Sequence, residues 1–349
     1  MPPLYNESGD FLFRDKCVLK KSIWTRLLLL PLLLTACQSQ LPTSTTAFRT
    51  LQATATAPPE ALFQEPAAAP FVQRTRQGLL LAYQGLEASR RQIFVRRSHD
   101  GKNWASPVQV SQNSLSVTHP QIIEDAQGKL KLFYHSNESE AWQLYLSESK
   151  DAQTWTPPQR VALPEAQISD SALLYTQKEY LLSYQAFGGG IFLTRSGDGH
   201  QWSAPVQISA SGEAPSLVRD AQGRYVLAYE GPTESGWTIY SCSSRDLKTW
   251  SKPQVLGTAQ RSRWGRLVSG GQGVVLVFSA QAENGAWELY KRRSTDLLNW
   301  SEPEQLTHNG LRNVNLQLSP ASASTAYLAW EMAQPDSPVS YLNIQQLKF

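Results

Sequence analysis

Apolar residues come in short bursts along most of this chain, and the bursts are strand-length. One stretch reads Ala214-Pro215-Ser216-Leu217-Val218, then Asp220-Ala221-Gln222-Gly223, then Tyr225-Val226-Leu227-Ala228-Tyr229, then Thr238-Ile239-Tyr240-Ser241. Runs this short, rich in aromatic and β-branched residues, favour strands over helices. Between them Asp can bond its own backbone and Gly accepts a positive φ, so tight turns are expected. The same turn recurs as Asp125-Ala126-Gln127-Gly128. The pattern predicts units of four short antiparallel strands.

The units repeat. Ser-x-Asp-x-x-x-Trp occurs five times, ending at Trp104, Trp155, Trp202, Trp250 and Trp300, with spacings of 51, 47, 48 and 50 residues. Proline follows three residues after each Trp, at Pro107, Pro158, Pro205, Pro253 and Pro303. A period near fifty with four strands per unit indicates a β-propeller rather than a barrel or sandwich. Second strands ending near Tyr83, Tyr134, Tyr184, Tyr229, Phe278 and Trp330 count six units. The expected fold is therefore all-β, a six-bladed β-propeller of four-stranded antiparallel blades over residues 70–349. The sixth unit, from about Asn313, lacks a box, so a strand from residues 47–65 is expected to complete it and close the ring.

Within each box the aspartates Asp100, Asp151, Asp198, Asp246 and Asp296 are placed to accept backbone N–H groups of the turn between third and fourth strands. The Trp of each box is placed to pack between blades. Side chains about fifty residues apart around a ring cannot converge on one centre, so these residues are read as structural. Antiparallel pairing puts the boxes and the Asp-Ala-Gln-Gly turns on one face. A ligand mouth then opens on the other, where second strands end and first strands begin.

The residues just after the second-strand aromatics are Gln84, His135, Gln185, Glu230, Ser279 and Glu331, all polar. First-strand starts add His119, Asp170, Glu213, Arg263, Arg266, Arg312, Asn313 and Asn315. Carboxylates, amides and basic groups gathered at one mouth suit a polar ligand such as a sugar. Of nine aspartates after residue 37, five are boxed, Asp125 and Asp220 lie in turns and Asp336 in a loop, which leaves Asp170. Asp170 with Glu213 or Glu230 is thus the candidate catalytic pair, since glycoside hydrolysis needs two flanking carboxylates. No zinc spacing, phosphate loop, Gly-x-Ser-x-Gly or dinucleotide fingerprint occurs, so no metal and no cofactor is expected.

The amino-terminal segment has another character. Lys20, Lys21 and Arg26 precede an apolar run, Leu27 to Leu34, too short to span a bilayer, and the run ends at Leu34-Thr35-Ala36-Cys37. Residues 1–36 are read as a signal peptide, with residues 1–19 a misassigned start. That tetrapeptide resembles the bacterial lipobox, which implies lipidation of Cys37 and an anchored protein of the cell envelope. Residues 37–69, rich in Thr, Ala, Pro, Gln and Ser, read as a tether. Only Cys242 then remains as a free thiol, so no intramolecular disulfide is expected. The whole chain is 41% hydrophobic and 17% charged, which excludes a disordered chain. Without the five basic and three acidic residues of the leader, the formal charge of +3 falls to about +1, which fits no nucleic-acid partner.

The boxes resemble the Asp-box, or bacterial neuraminidase repeat, of sialidase-like six-bladed propellers, although they are one residue shorter. Sialidases hold a substrate carboxylate with three arginines and use a Tyr nucleophile paired with Glu and an Asp acid/base. Their first arginine belongs to an Arg-Ile-Pro motif where this chain reads Ala68-Ala69-Pro70, and Tyr83-Gln84-Gly85-Leu86 stands where acidic and basic residues are expected. Arg263, Arg266 and Arg312 fall on adjacent blades, and Tyr327 and Tyr341 read as core. Glu213-Ala214-Pro215 also resembles the Glu-Gly-Pro around the general acid of arabinanase-like glycosidases. The expectation is a monomeric, membrane-anchored lipoprotein binding carbohydrate or an envelope protein without the sialidase catalytic set. An exo-glycosidase and an envelope-assembly scaffold stay open as alternatives.

Overall fold

Short apolar runs, buried on both faces in the second strands, give strands throughout, 23 of them and no helix among the described residues. The computed structural model describes residues 57–87, 90–112, 116–139, 141–163, 167–234 and 236–349. All belong to one unit, Arg49–Phe349. The leader, Cys37 and the start of the tether lie outside the described residues.

The first sheet is β1 (Ala68–Thr75), β2 (Gly78–Glu87), β3 (Arg90–Ser98) and β4 (Val108–Gln109). The second is β5 (Val117–Glu124), β6 (Leu130–Ser136), β7 (Gln143–Ser149) and β8 (Gln159–Arg160). The third is β9 (Ile168–Tyr175), β10 (Tyr180–Ala186), β11 (Ile191–Ser196) and β12 (Val206–Ser209). The fourth is β13 (Glu213–Arg219), β14 (Tyr225–Thr233), β15 (Gly236–Ser244) and β16 (Gln254–Val255). The fifth has seven strands: β17 (Ser262–Gly270), β18 (Gly273–Gln281), β19 (Trp287–Ser294), β20 (Glu304–Gln305), β21 (Arg312–Ser322), β22 (Thr325–Ala333) and β23 (Tyr341–Lys348).

Six separate four-stranded blades are therefore not what the sheets form. Four sheets match that pattern. The fifth is continuous because Trp287 pairs with Arg312, a single parallel bridge that joins β19 to β21. Its last part, β21 to β23, has three strands because no box follows β23. Residues 57–65 form no strand; a closing strand was expected from 47–65, of which 47–56 lie outside the described residues. They nonetheless lie along β23, with the Leu62 and Ala67 N–H groups donating to the carbonyls of Leu342 (2.6 Å) and Ser340 (3.0 Å). Irregular backbone thus covers an edge that would otherwise be open.

The core is layered between sheets. Phe71, Leu80, Ile93 and Val95 of the first sheet pack on Ile122, Leu132 and Tyr134 of the second. Similar layers join second to third, third to fourth and fourth to β17–β19. Two more lie between β17–β19 and β21–β22, and between β22–β23 and the first sheet. The molecule is an all-β propeller of antiparallel sheets.

The box turns share one geometry. Each Asp Oδ1 accepts the N–H groups two and three residues on, as in Asp246 with Lys248 and Thr249 at 2.8 Å. Each Ser Oγ accepts the N–H three residues on, such as Leu247 at 2.9 Å. The backbone donors hold all five carboxyls below the usual carboxylate range. First-to-second turns meet the next sheet's box, since Arg224 Nη1 donates to Asp296 O at 2.9 Å. Boxes and these turns thus share a face, and the first-strand starts lie on the other.

Candidate binding mouth

Every first strand slips its register near its start. The slips fall between Ala68 and Phe71, Thr118 and Gln121, Glu213 and Ser216, Arg263 and Arg266, and Val314 and Gln317, and opposite Gln185/Ala186 in β9. Ala69, His119, Ala214, Trp264 and Asn315 stand there with φ of 46° to 53°. A left-handed bulge bends the strand and re-aims side chains. Pro70, Pro120 and Pro215 follow three of these residues, and because the bulge leaves them unpaired they forfeit no ladder bond. A bulky residue such as Trp at positive φ is an outlier that its surroundings must enforce.

The enforcing groups are the polar residues at the second-strand ends. Gln84 donates to Val117 O, and His135 contacts Ile168 O (3.4 Å) and Ser171 Oγ (2.9 Å). Glu230 accepts the Trp264 N–H (2.6 Å), Ser279 donates to Asn313 O (2.5 Å), and Glu331 accepts the Ala69 N–H (2.7 Å). Each bond crosses from one unit to the bulge of the next. Gln84, His135, Glu230, Ser279 and Glu331 are all buried. They form a seam of clasps beneath the mouth, while Gln185 is half-buried and pairs with Asp170 and Ile191 across the ladder. Burial, with the neighbouring His119 charge, pushes His135 down to about 4. The two imidazole rings are 6.2 Å apart and perpendicular. No three His, Cys, Asp or Glu side chains gather as a metal site among the described residues.

The candidate catalytic carboxylates come together with two arginines. Arg263 Nε donates to Glu230, and its Nη2 lies 3.3 Å from Glu213 Oε2. Arg266 reaches Asp170 Oδ2 at 3.7 Å and donates to the carbonyls of Ala214 (3.2 Å) and Gly265 (3.1 Å). Asp170 also accepts the Ser171 N–H at 2.7 Å. Glu230 is wholly buried, whereas the Glu213 side chain is 33% exposed. Three carboxylates thus face two guanidinium groups, and the cluster favours no further anion. Arg312 stands apart and donates to Ser337 O at 3.3 Å.

Tryptophans form the walls, and these were missed in the sequence. The Arg263 guanidinium sits 4.9 Å from the Trp237 ring and 5.6 Å from that of Trp264. Trp264 and Trp287 meet edge to face at 5.2 Å. All three indoles are half-buried. Trp142, Trp237 and Trp287 each precede a box Trp by 13 residues, a second register in the repeat that was available to find two of the three, and no such signal marks Trp264. Cavities of about 310 and 400 Å³ lie on the box face around Arg224. Arg224 is bonded to Asp220, Asp296 O and Thr295 O, so this is a structural joint.

No model of a known protein family matches the chain, and no curated protein is similar to it. Its fold is similar to a protein of unknown function from Dyadobacter fermentans, at 13% identity and a TM-score of 0.67, covering 84% of this chain and 97% of that one. It is also similar to a point mutant of the NanB sialidase from Streptococcus pneumoniae, at 10% identity and a TM-score of 0.62, covering 83% of this chain and 70% of that one. At such identities the likeness is one of fold.

Proposed function

We propose that the chain is a cell-envelope lipoprotein whose propeller binds glycan at its mouth without sialidase catalysis. The carrying observation is that each mouth arginine is already bonded within the protein, Arg263 to Glu230 and Glu213, Arg266 to Asp170 and two carbonyls, and Arg312 to Ser337 O. A sialidase needs arginines turned to the substrate carboxylate. Half-open indoles beside hydrogen-bonding carboxylates instead suit the apolar face and hydroxyls of a neutral sugar. The six apolar layers support a ring of six blades, with the seven-stranded sheet counted as two. The five boxes take the part of Asp-box turns. Anchorage through Cys37 rests on the lipobox alone.

The test is full-length protein on a glycan array beside a panel of chromogenic glycosides. We expect binding without turnover, with Glu213→Ala lowering affinity about tenfold and leaving the melting temperature unchanged. A silent array overturns the reading in favour of a protein-binding scaffold. A glycosidase is the second reading, favoured by the exposure of Glu213, with Asp170 as its partner. Turnover lost in both Asp170→Asn and Glu213→Gln would establish it. Cys37→Ala should release the protein from membranes, and its retention there would refute the anchor.

A further inference from the structure

We propose that Arg219, Arg224 and Arg245 form a second ligand site, on the box face, that binds the phosphate monoester of a small polar molecule. The inference goes beyond glycan binding, because the boxes and first-to-second turns lie opposite the mouth. The cavity of about 310 Å³ there is lined by these three arginines with Gln222 and Gly223. No carboxylate and no apolar side chain belongs to that lining.

One arginine is fixed and two are unengaged. Arg224 bonds through Nε to Asp220 (2.7 Å), through Nη1 to Asp296 O (2.9 Å) and through Nη2 to Thr295 O (3.4 Å), so its guanidinium is held in place. Arg219 bonds only through Nε, to Gly223 O at 3.3 Å, with its guanidinium 5.5 Å from the Tyr225 ring. Its two Nη groups and the whole Arg245 side chain make no hydrogen bond or ion pair among the described residues. Both residues are exposed. The neighbouring box carboxylates Asp246 and Asp296 are directed at N–H groups of their own turns rather than at these arginines.

The repeat supplies an internal control. The second sheet has the same Asp-Ala-Gln-Gly turn and Ser-x-Asp box, with Glu124, Lys129, Glu148 and Lys150 at the places of Arg219, Arg224, Ser243 and Arg245. There the charges close on themselves, since Lys129 donates to Glu148 at 2.6 Å and Glu124 accepts the Arg76 N–H at 3.1 Å. Two lysines against two glutamates sum to zero, whereas three arginines and a serine sum to +3. Turn and box therefore fold without Arg219 or Arg245, and the surplus charge of the fourth sheet is not demanded by the scaffold.

The chemistry of the occupant follows. Planar guanidinium forks match phosphate oxygens two at a time, and a carboxylate-free group of cations favours a dianion over a monoanion. The cavity is larger than a phosphoryl group alone, so it also admits the carrier, whose hydroxyls the Gln222 amide can meet. With no apolar lining, an aromatic or acyl carrier gains nothing there. A sugar phosphate and the glycerophosphate headgroup of a lipid share this chemistry.

The test is isothermal titration of full-length protein, at fixed ionic strength, with inorganic phosphate, glucose 6-phosphate and dibutanoyl phosphatidic acid. All three are expected to bind, and the tighter of the two esters tells a soluble sugar phosphate from a lipid headgroup. Arg219→Gln and Arg245→Gln should each lower ester affinity at least tenfold at unchanged Tm, while Lys150→Gln, at the equivalent place in the second sheet, changes nothing. Affinity should also fall about tenfold from pH 7.5 to pH 5, as the phosphate loses its second charge near pH 6. Binding that both arginine variants leave intact overturns the site, as does an equal loss in Lys150→Gln, equal affinity at the two pH values, or no binding by any of the three. Failure here is separate from failure at the mouth, since neither arginine is a mouth residue.

Discussion

A carboxylate with no exposed surface persists in a folded protein only where donors surround it. Glu230 meets that condition with Arg263 and the Trp264 N–H, so its removal takes the close partner from a half-buried guanidinium and the side-chain acceptor from the Trp264 N–H. Glu230→Ala should cost about 3 to 5 kcal/mol in urea unfolding, and Glu230→Gln clearly less because the amide oxygen still accepts. His135 makes a second prediction. Its folded value of about 4 lies below the ordinary 6.5, so the unfolded chain takes the proton first as pH falls. Stability is full above about pH 6.5 and declines toward pH 4 by roughly 3 kcal/mol, and His135→Gln should flatten that decline. Glu148 adds a loss only at lower pH, since Lys129 and Lys131 outweigh its burial and hold it at about 2. The polarity of both positions was legible in the sequence. Their bonds were not, because each partner sits some 34 residues on, in a bulge that no local pattern announces.

The box turns were legible at the level of single bonds, because every group involved lies within seven residues. Asp, Ser and the turn residue do the same work in all five copies, with Gly101, Ala152, Gly199, Leu247 and Leu297 at φ of 59° to 81°. Leu247 accepts that conformation because its side chain is buried against the preceding sheet and its N–H is held by Ser244. Ser244→Ala leaves the buried N–H unsatisfied and should cost about 1 to 3 kcal/mol, read as a lower urea midpoint at unchanged m-value. The first-strand bulges were hidden, although Ala69-Pro70, His119-Pro120 and Ala214-Pro215 mark three of them. Pro70 and Pro215 were read as motif positions and Pro120 was passed over, whereas each marks a rung missing from the ladder. The mouth tryptophans were overlooked for a related reason. The box Trp set the period, and the second Trp 13 residues earlier occurs in only three of the units.

A ring has one junction that the chain does not cross, and there non-covalent contacts alone resist opening. In this molecule β21–β23 meet β1 across that junction. Glu331 accepts the Ala69 N–H at 2.7 Å and the Asn315 amide at 2.8 Å, while Leu62 and Ala67 bind the edge of β23. The six apolar layers are alike in kind and Glu331 repeats the clasp of the other junctions, so the closing junction differs chiefly by the Leu62 and Ala67 bonds, between residues up to 280 apart in sequence. The propeller of antiparallel sheets was legible from spacing, but the six separate blades expected are four four-stranded sheets and one of seven strands, because the fusion at Trp287 and Arg312 and the irregular closure depend on contacts between distant parts of the chain. Glu331→Ala removes the acceptor from a buried backbone N–H and should destabilise the protein by about 2 to 3 kcal/mol. The loss should be local before it is global: hydrogen exchange is expected to quicken in β1 and β21–β23 first, with the sheet of β9–β12 retaining its protection. Uniform acceleration through all sheets would show instead that closure and blade stability are one cooperative unit.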